Sequence, residues 1–338
     1  MEIKRVRLNA GKLLANNDIV MLIVLIAIII VFTLINPNFL SFKNMMNIFY
    51  AASIIGLLAI GMTYLMIAGH IDLSCGTVAG LSGVIISVLL RDTDISAWPV
   101  AFFITLAIAL GVGLANAVLV NVFELQPFIA TLAMSSVCTG ASYLLSSGRA
   151  VLISNQSLMH IGSGRVFGVP ITVIILVIFF IVFGYILART VFGRSVYMIG
   201  GNVTAAKLAG LNPKRLAMSC YLMSAGIAAL AGVLLTARMH SAMPGAGSGG
   251  EFDAITAAVL GGVAFTGGRG NLVGCFIGLI IIQAFANGLT VLGVNSFWQV
   301  VAKGILLIAA LVFDYIRRRG LSKSLEEEAM RHLDDETA

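Results

Sequence analysis

The chain has 338 residues, of which 59% are hydrophobic and 11% charged, and its mean hydropathy is +1.03. A water-exposed protein carries roughly 25% charged residues, so this composition excludes a soluble globular domain and requires lipid over most of the surface. The net charge of +6 does not indicate nucleic acid, because the basic residues flank apolar runs and no soluble basic domain carries them.

In chain order, Lys4, Arg5, Arg7 and Lys12 precede an apolar run from Ile19 to Ile35. A signal peptide has an apolar core of about 7–15 residues followed by a small-residue cleavage site. Here Asn36-Pro37-Asn38-Phe39 follows instead, which predicts an uncleaved first transmembrane helix. Further apolar runs at 48–68, 73–90, 98–122, 127–147, 171–188, 216–237, 254–266, 271–291 and 296–316 bring the candidate spans to ten. The run 254–266 is short and Gly-rich, and 127–147 begins at Pro127 and carries Ser and Thr. Either is a candidate broken or re-entrant helix, so the count is eight to ten.

The fold class expected is therefore an all-α, polytopic transmembrane helical bundle. Its parts are a cytoplasmic N-terminal segment 1–18, a membrane domain 19–316 and a cytoplasmic tail 317–338. With both termini inside, the cytoplasmic segments hold fifteen Lys and Arg and the outer segments five, a bias that supports this orientation. The tail is basic and then acidic, and Glu326–Glu328 can pair with basic neighbours on a solvated helix. No carboxylate falls in the middle of an apolar run, where charge costs at least ~2.5–3.5 kcal/mol.

Two internal similarities conflict. Ala115-Asn116-Ala117 with Gln126 downstream resembles Ala286-Asn287-Gly288 with Gln299 downstream, which pairs the fourth and ninth spans as an inverted repeat. The Gly-rich breaks at 68–76 and 261–270 would pair the third and ninth spans in the same sense. The inverted repeat is favoured.

Between the sixth and seventh spans, Asn202 is a good N-cap, 203–209 holds strong helix formers, Gly210 suits a left-handed C-terminal position and Pro213 prevents continuation. The product is a helix about 10 Å long outside the membrane. Its small side chains Ala205, Ala206 and Ala209 allow close approach by another protein, although an ordinary connector would read the same way. This stretch, Gly193 to Pro213, resembles the coupling-helix region of permeases in ribose/galactose/xylose-type sugar ATP-binding-cassette (ABC) importers. Four other stretches resemble the same family, in its order: Gly69-His70-Ile71-Asp72-Leu73-Ser74-Cys75-Gly76, Gln126-Pro127-Phe128-Ile129-Ala130-Thr131-Leu132, Glu251-Phe252-Asp253-Ala254-Ile255 and Gly261-Gly262-Val263-Ala264-Phe265-Thr266-Gly267-Gly268-Arg269-Gly270. The sequence departs from the family pattern at His70, where Gly is usual, and at Cys75; a neutral, satisfied His at a helix end is the expectation for the first.

The resemblance implies a permease subunit in the bacterial inner membrane. Its implied partners are a second permease copy or paralogue, cytoplasmic ABC ATPase subunits, and a periplasmic or lipid-anchored sugar-binding protein. It also implies that Gly201, Asn202, Ala205, Ala206, Lys207 and Gly210 couple to the ATPase. The chain has no G-x-x-x-x-G-K-[S/T] phosphate loop, so it is not expected to be an enzyme or to hold a cofactor; ATP and Mg belong to the partner.

Neutral amides and hydroxyls suit a polyhydroxylated solute better than an ion. Candidate pathway or gate residues are Asn116, Asn121, Gln283, Asn287, Gln299 and Thr256, together with Ser74. Amides that merely hold helices together are the alternative. Asp72 and Asp253 flank the Gly-rich breaks and either cap helices or gate the path. The outer segment 238–253, with Pro244 and four glycines, is expected to be flexible and to present Arg238 and Glu251 to a binding protein. Cys75, Cys138, Cys220 and Cys275 lack metal-type spacing and read as packing residues. The rival functions are an ion-coupled sugar carrier and a membrane enzyme. The first lacks a carboxylate in mid-span, and the second lacks any nucleophile–base pair or cluster among His70, His160, His240 and His332.

Overall fold

The computed structural model describes residues 17–312 apart from 94 and 96, together with 315. The basic N-terminal cluster, the tail 317–338 and His332 lie outside these residues. Among the described residues, eight helices are long and apolar enough to cross a membrane. They are α1 (Asn17–Ile35), α2 (Phe42–Ile67), α3 (Cys75–Asp92), α4 (Trp98–Asn121), α5 (Pro127–Ser146), α7 (Ile171–Arg189), α10 (Pro213–Met239) and α12 (Leu272–Val291). The shorter helices are α6 (Gln156–Ser163), α8 (Val191–Gly201), α9 (Val203–Leu208), α11 (Gly250–Leu260) and α13 (Ser296–Val312). Two small antiparallel pairs, Val151–Leu152 with Ser241–Ala242 and Arg165–Val166 with Val169–Pro170, decorate one end.

The ends of these helices are set by local chemistry. Ser41, Thr190, Asn202, Asn212 and Asn271 each cap the following helix by accepting a backbone N–H. Pro37, next to Asn36, opens a short 3-10 turn between α1 and α2, where the chain reverses.

Of the two runs read as candidate broken or re-entrant helices, the first is borne out as a short helix and the second is corrected. The run 254–266 is not a full span: α11 has 11 residues, about 16 Å at 1.5 Å per residue, because Gly261 and Gly262 stop it and Asn271 restarts the chain. The run 127–147 is not broken: α5 is a continuous 20-residue helix whose Pro127 sits harmlessly in its first turn.

The packing resolves the internal repeat. Gly61 of α2 abuts Ser224 of α10, while Tyr50 near the start of α2 meets Arg238 near the end of α10, so these two helices are antiparallel. α2 packs on α11 and α12, and α10 packs on α3 and α4. Thus α2, α3 and α4 correspond to α10, α11 and α12 in the opposite direction, as the Ala-Asn-Ala and Ala-Asn-Gly pairing required. The break that matches 68–74 is 240–249, not 261–270.

α10 is the central post. It is buried on most sides, and Ala225, Ala228, Ala229, Ala231 and Gly232 let α2, α3 and α4 approach closely. A methyl on Gly232 would lie 1.8 Å from the Ala79 carbonyl oxygen, so α3 and α10 pack backbone to backbone. The four cysteines are free and buried in this core. α1 lies at the periphery against α12 and exposes Leu22, Ile23, Ile26 and Ile30.

Candidate translocation pathway and coupling region

The segment 68–74 climbs from the end of α2 into the bundle without forming helix or strand. Backbone without helix is tolerated at such depth only where protein satisfies it, and three helices do so here. Asp72 Oδ1 accepts from the Ser74 N–H at 2.8 Å and from Ser74 Oγ at 2.5 Å, and its Oδ2 accepts from Ser224 Oγ at 3.3 Å. Ser74 Oγ accepts from Asn116 Nδ2 at 2.8 Å, Thr131 Oγ1 accepts from the Leu73 N–H at 3.0 Å, and the Tyr221 hydroxyl donates to the Ile71 carbonyl at 3.3 Å. Asp72 is 2% exposed and level with the middle of α10. The expectation that no carboxylate reaches mid-membrane is therefore corrected: position at the edge of an apolar run does not give depth when the run begins halfway across.

The second half mirrors this. The segment 241–249 is not a flexible outer loop; it descends along α3, with the Ala246 carbonyl over Gly80 and that of Gly247 over Gly76. Glu251, expected to face a binding protein, is 7% exposed. Its carboxylate accepts the Gly249 N–H at 3.1 Å and lies against Gly76. The N-termini of α3 and α11 thus meet inside the bundle, and each brings a carboxylate to the positive end of a helix dipole.

Beside this junction lies a cavity of about 800 Å³ between α2, α10, α11 and α13. Ile54, Leu58, Leu235 and Leu307 give it apolar walls, and its polar groups are Arg238, Ser248, Asp253, Thr256 and Lys303. Few polar groups on apolar walls is the usual make-up of a small-molecule site. Asp253 Oδ2 accepts from Lys303 Nζ at 2.7 Å, which ties α11 to α13 across the cavity. Arg238 is also less free than expected. Its Nη1 donates to the Tyr50 carbonyl at 2.9 Å, and its guanidinium lies 3.7 Å above the Tyr50 ring.

The other candidates scatter. Asn287 Oδ1 accepts from Asn44 Nδ2 at 2.8 Å, which fastens α12 to the start of α2. Gln299 Nε2 donates to the Val294 carbonyl at 2.9 Å and Oε1 accepts from Thr290, closing the turn before α13. Both are helix fasteners away from the cavity. Gln283 and Asn121 are buried but do not line it, and Thr256 does, with its hydroxyl spent on the Phe252 carbonyl at 2.6 Å. His70 is packed edge-on against Tyr221 with ring centroids 5.7 Å apart, yet its Nδ1 has no protein partner, so it is not the satisfied helix-end histidine expected.

At the opposite end of the bundle from Arg238 stands α9. Asn202 Oδ1 accepts the Ala205 N–H at 2.9 Å, and Gly210 takes φ +80°, the left-handed geometry that ends the helix. Ala206 turns inward, whereas Gly201, Asn202, Ala205, Lys207 and Gly210 are exposed together with Leu208 at 87%. Immediately before α9, Gly200 is wedged against the end of α2 and the loop 261–270. A methyl on Gly200 would lie 1.8 Å from the Ile67 carbonyl oxygen and 2.7 Å from the Gly268 nitrogen. The Gly268 N–H donates to that same Ile67 carbonyl at 2.8 Å, and the Tyr197 hydroxyl donates to the Gly270 carbonyl at 2.7 Å. Three segments therefore meet where only glycine fits: the approach to α9, the foot of the 68–74 break and the loop after α11.

Sequence reasoning missed Lys303, Ser224, Thr131 and Gly200. Lys303 carried a usable signal, since a lone cation inside an apolar run demands a partner. Thr131 and Gly200 lie in stretches that resemble the family, but the resemblance gives neither a role, and Ser224 is one hydroxyl among many with nothing local to mark it.

A helical membrane bundle with two inward-reaching breaks, a partly polar cavity and an exposed capped helix at one end defines a permease. Residues 44–311 match the family described as branched-chain amino acid transport system / permease component, and the chain belongs to that family. It is similar to the ribose import permease protein of Bacillus subtilis (strain 168), at 38% identity over 86% of this chain and 90% of that protein. The ribose import permease protein of Escherichia coli K12 is 36% identical over 89% and 94%, and the L-arabinose ABC transporter permease protein of Azospirillum brasilense is 33% identical over 93% and 91%. No solved structure matches.

Proposed function

We propose that the chain is the membrane-spanning permease of an ABC importer that passes a sugar or sugar-like neutral polyhydroxylated solute. The observation that carries this reading is similarity along nine-tenths of the chain to permeases named for ribose and L-arabinose. The solute comes from an extracytoplasmic binding protein, and the work comes from separate ATPase subunits that dock on α9. Exposed Val203, Leu208 and Lys207 on a capped helix give such a partner apolar and basic contacts. A second permease copy or paralogue completes the path. The chain lies in the bacterial inner membrane with both termini and α9 in the cytoplasm. The basic residues Arg189, Arg194, Lys207, Lys214, Arg215 and Arg269 all fall in segments at the end of α9, which supports that side.

The cavity with Asp253, Thr256 and Lys303 is the solute route in this reading, and Asp72, Ser74 and Asn116 hold the break that frames it. One observation favours an ion-coupled carrier instead: the buried Asp72. Its three hydrogen bonds account for it as a fastener. Uptake in proteoliposomes decides between the two. An importer requires ATP, ATPase and binding protein and is unaffected by a protonophore; uptake driven by an ion gradient through this chain alone would overturn the proposal.

A further inference from the structure

Between α7 and α12, on the bundle's outer face, runs a groove of about 430 Å³, walled by Phe180, Gly184, Leu187, Leu272 and Phe276. It is separate from the polar cavity and almost wholly apolar. Its floor is Tyr197, whose hydroxyl is spent on the Gly270 carbonyl. A groove between spans that faces hydrocarbon fills with lipid tail or protein. The basic residues that neighbour its lining in sequence discriminate between them. Arg189 ends α7, Arg194 stands on the first turn of α8 with its Nη1 donating to the Arg189 carbonyl at 3.4 Å, and Arg269 lies two residues before the groove residue Asn271. All three guanidinium groups belong to exposed residues, and none is in an ion pair among the described residues. Basic pockets between spans at the membrane surface take acidic lipid headgroups. Asp18 meets Asn271 Nδ2 at 3.4 Å, so a phosphate must seat on the α7 and α8 side.

We infer that this groove binds an anionic phospholipid, its acyl chain between α7 and α12 and its phosphate on Arg189 and Arg194. The site rests on insertion of the bundle in a membrane and is independent of which solute is carried. It would join α7 and α8 to α12 next to the glycine contact that precedes α9.

The test is native mass spectrometry of the purified full-length chain, exchanged against equal amounts of phosphatidylglycerol and phosphatidylcholine. Wild-type chain should retain phosphatidylglycerol preferentially. The double variant Arg189→Gln/Arg194→Gln, both exposed and so without cost to the core, should lower that preference about 25-fold, about five-fold for each arginine. Gly184→Phe should eliminate one retained lipid of either kind while melting like wild type, because the atom nearest a methyl there is Leu272 Cβ at 4.0 Å and the ring enters the groove. Unchanged preference in the arginine variant would overturn the inference. So would an unchanged lipid count in Gly184→Phe, or a Gly184→Cys chain that cross-links to a second copy, which would make the groove a protein interface.

Discussion

The glycine contact ahead of α9 offers the sharpest test of how force would reach the pathway. Replacing Gly200 by Ala puts a methyl 1.8 Å from the Ile67 carbonyl oxygen. Ordinary contact needs about 3.5 Å, so the methyl and that oxygen must part by about 1.7 Å. The methyl would also lie 2.7 Å from the Gly268 nitrogen, so it crowds both ends of the 2.8 Å bond from the Gly268 N–H to Ile67 and displaces it. Stranding those groups costs about 1–3 kcal/mol, and the forced packing costs about 1–3 kcal/mol more. Gly111 of α4 is a control, because a methyl there meets nothing within 4 Å. In proteoliposomes holding the ATPase and binding protein, solute moved and ATP hydrolysed are measured together. Gly200→Ala should lower solute per ATP by at least about tenfold, the equivalent of 1.4 kcal/mol, while ATP turnover persists and Gly111→Ala stays near wild type. Equal coupling ratios in the two variants would refute the idea that this contact carries the stroke to the foot of the 68–74 break.

Other consequences are testable alongside. Asn202→Ala removes the cap of α9 and should cost that helix about 1 kcal/mol; with Leu208→Glu, which charges its most exposed apolar residue, co-purification of the ATPase should fall although the chain melts normally. Asp72→Ala strands the Ser74 N–H and the Ser224 hydroxyl and should destabilise the chain by about 2–5 kcal/mol, read as a lower melting temperature in detergent. Asp72→Asn, which keeps an acceptor, should lose much less. Lys303→Met leaves Asp253 half-buried without its partner and should cost up to about 3–5 kcal/mol; Lys303→Met/Asp253→Asn should recover stability, and failure to recover would mean the two groups act separately.

What could be read from residue order divides along a physical line. Apolar runs, caps and charge bias are local, and they located α1, the capped α9 and its left-handed Gly210, and the division of basic residues between the two ends. Depth is not local. Asp72 and Glu251 looked peripheral because each stands at the margin of an apolar run, yet those runs, α3 and α11, begin inside the bundle after a non-helical approach. The same error sent Glu251 to the surface and made 241–249 a free loop. The Ala-Asn repeat held the correction: once α4 is matched to α12, α3 must match α11, and whatever lies just before one N-terminus must lie just before the other. A non-helical break before α11 to match the one before α3 then follows from symmetry alone. The fastening roles of Asn287 and Gln299 do not, because a side-chain amide on an apolar helix has the same chemistry whether it faces a neighbour or a solute, and only the packed bundle decides which.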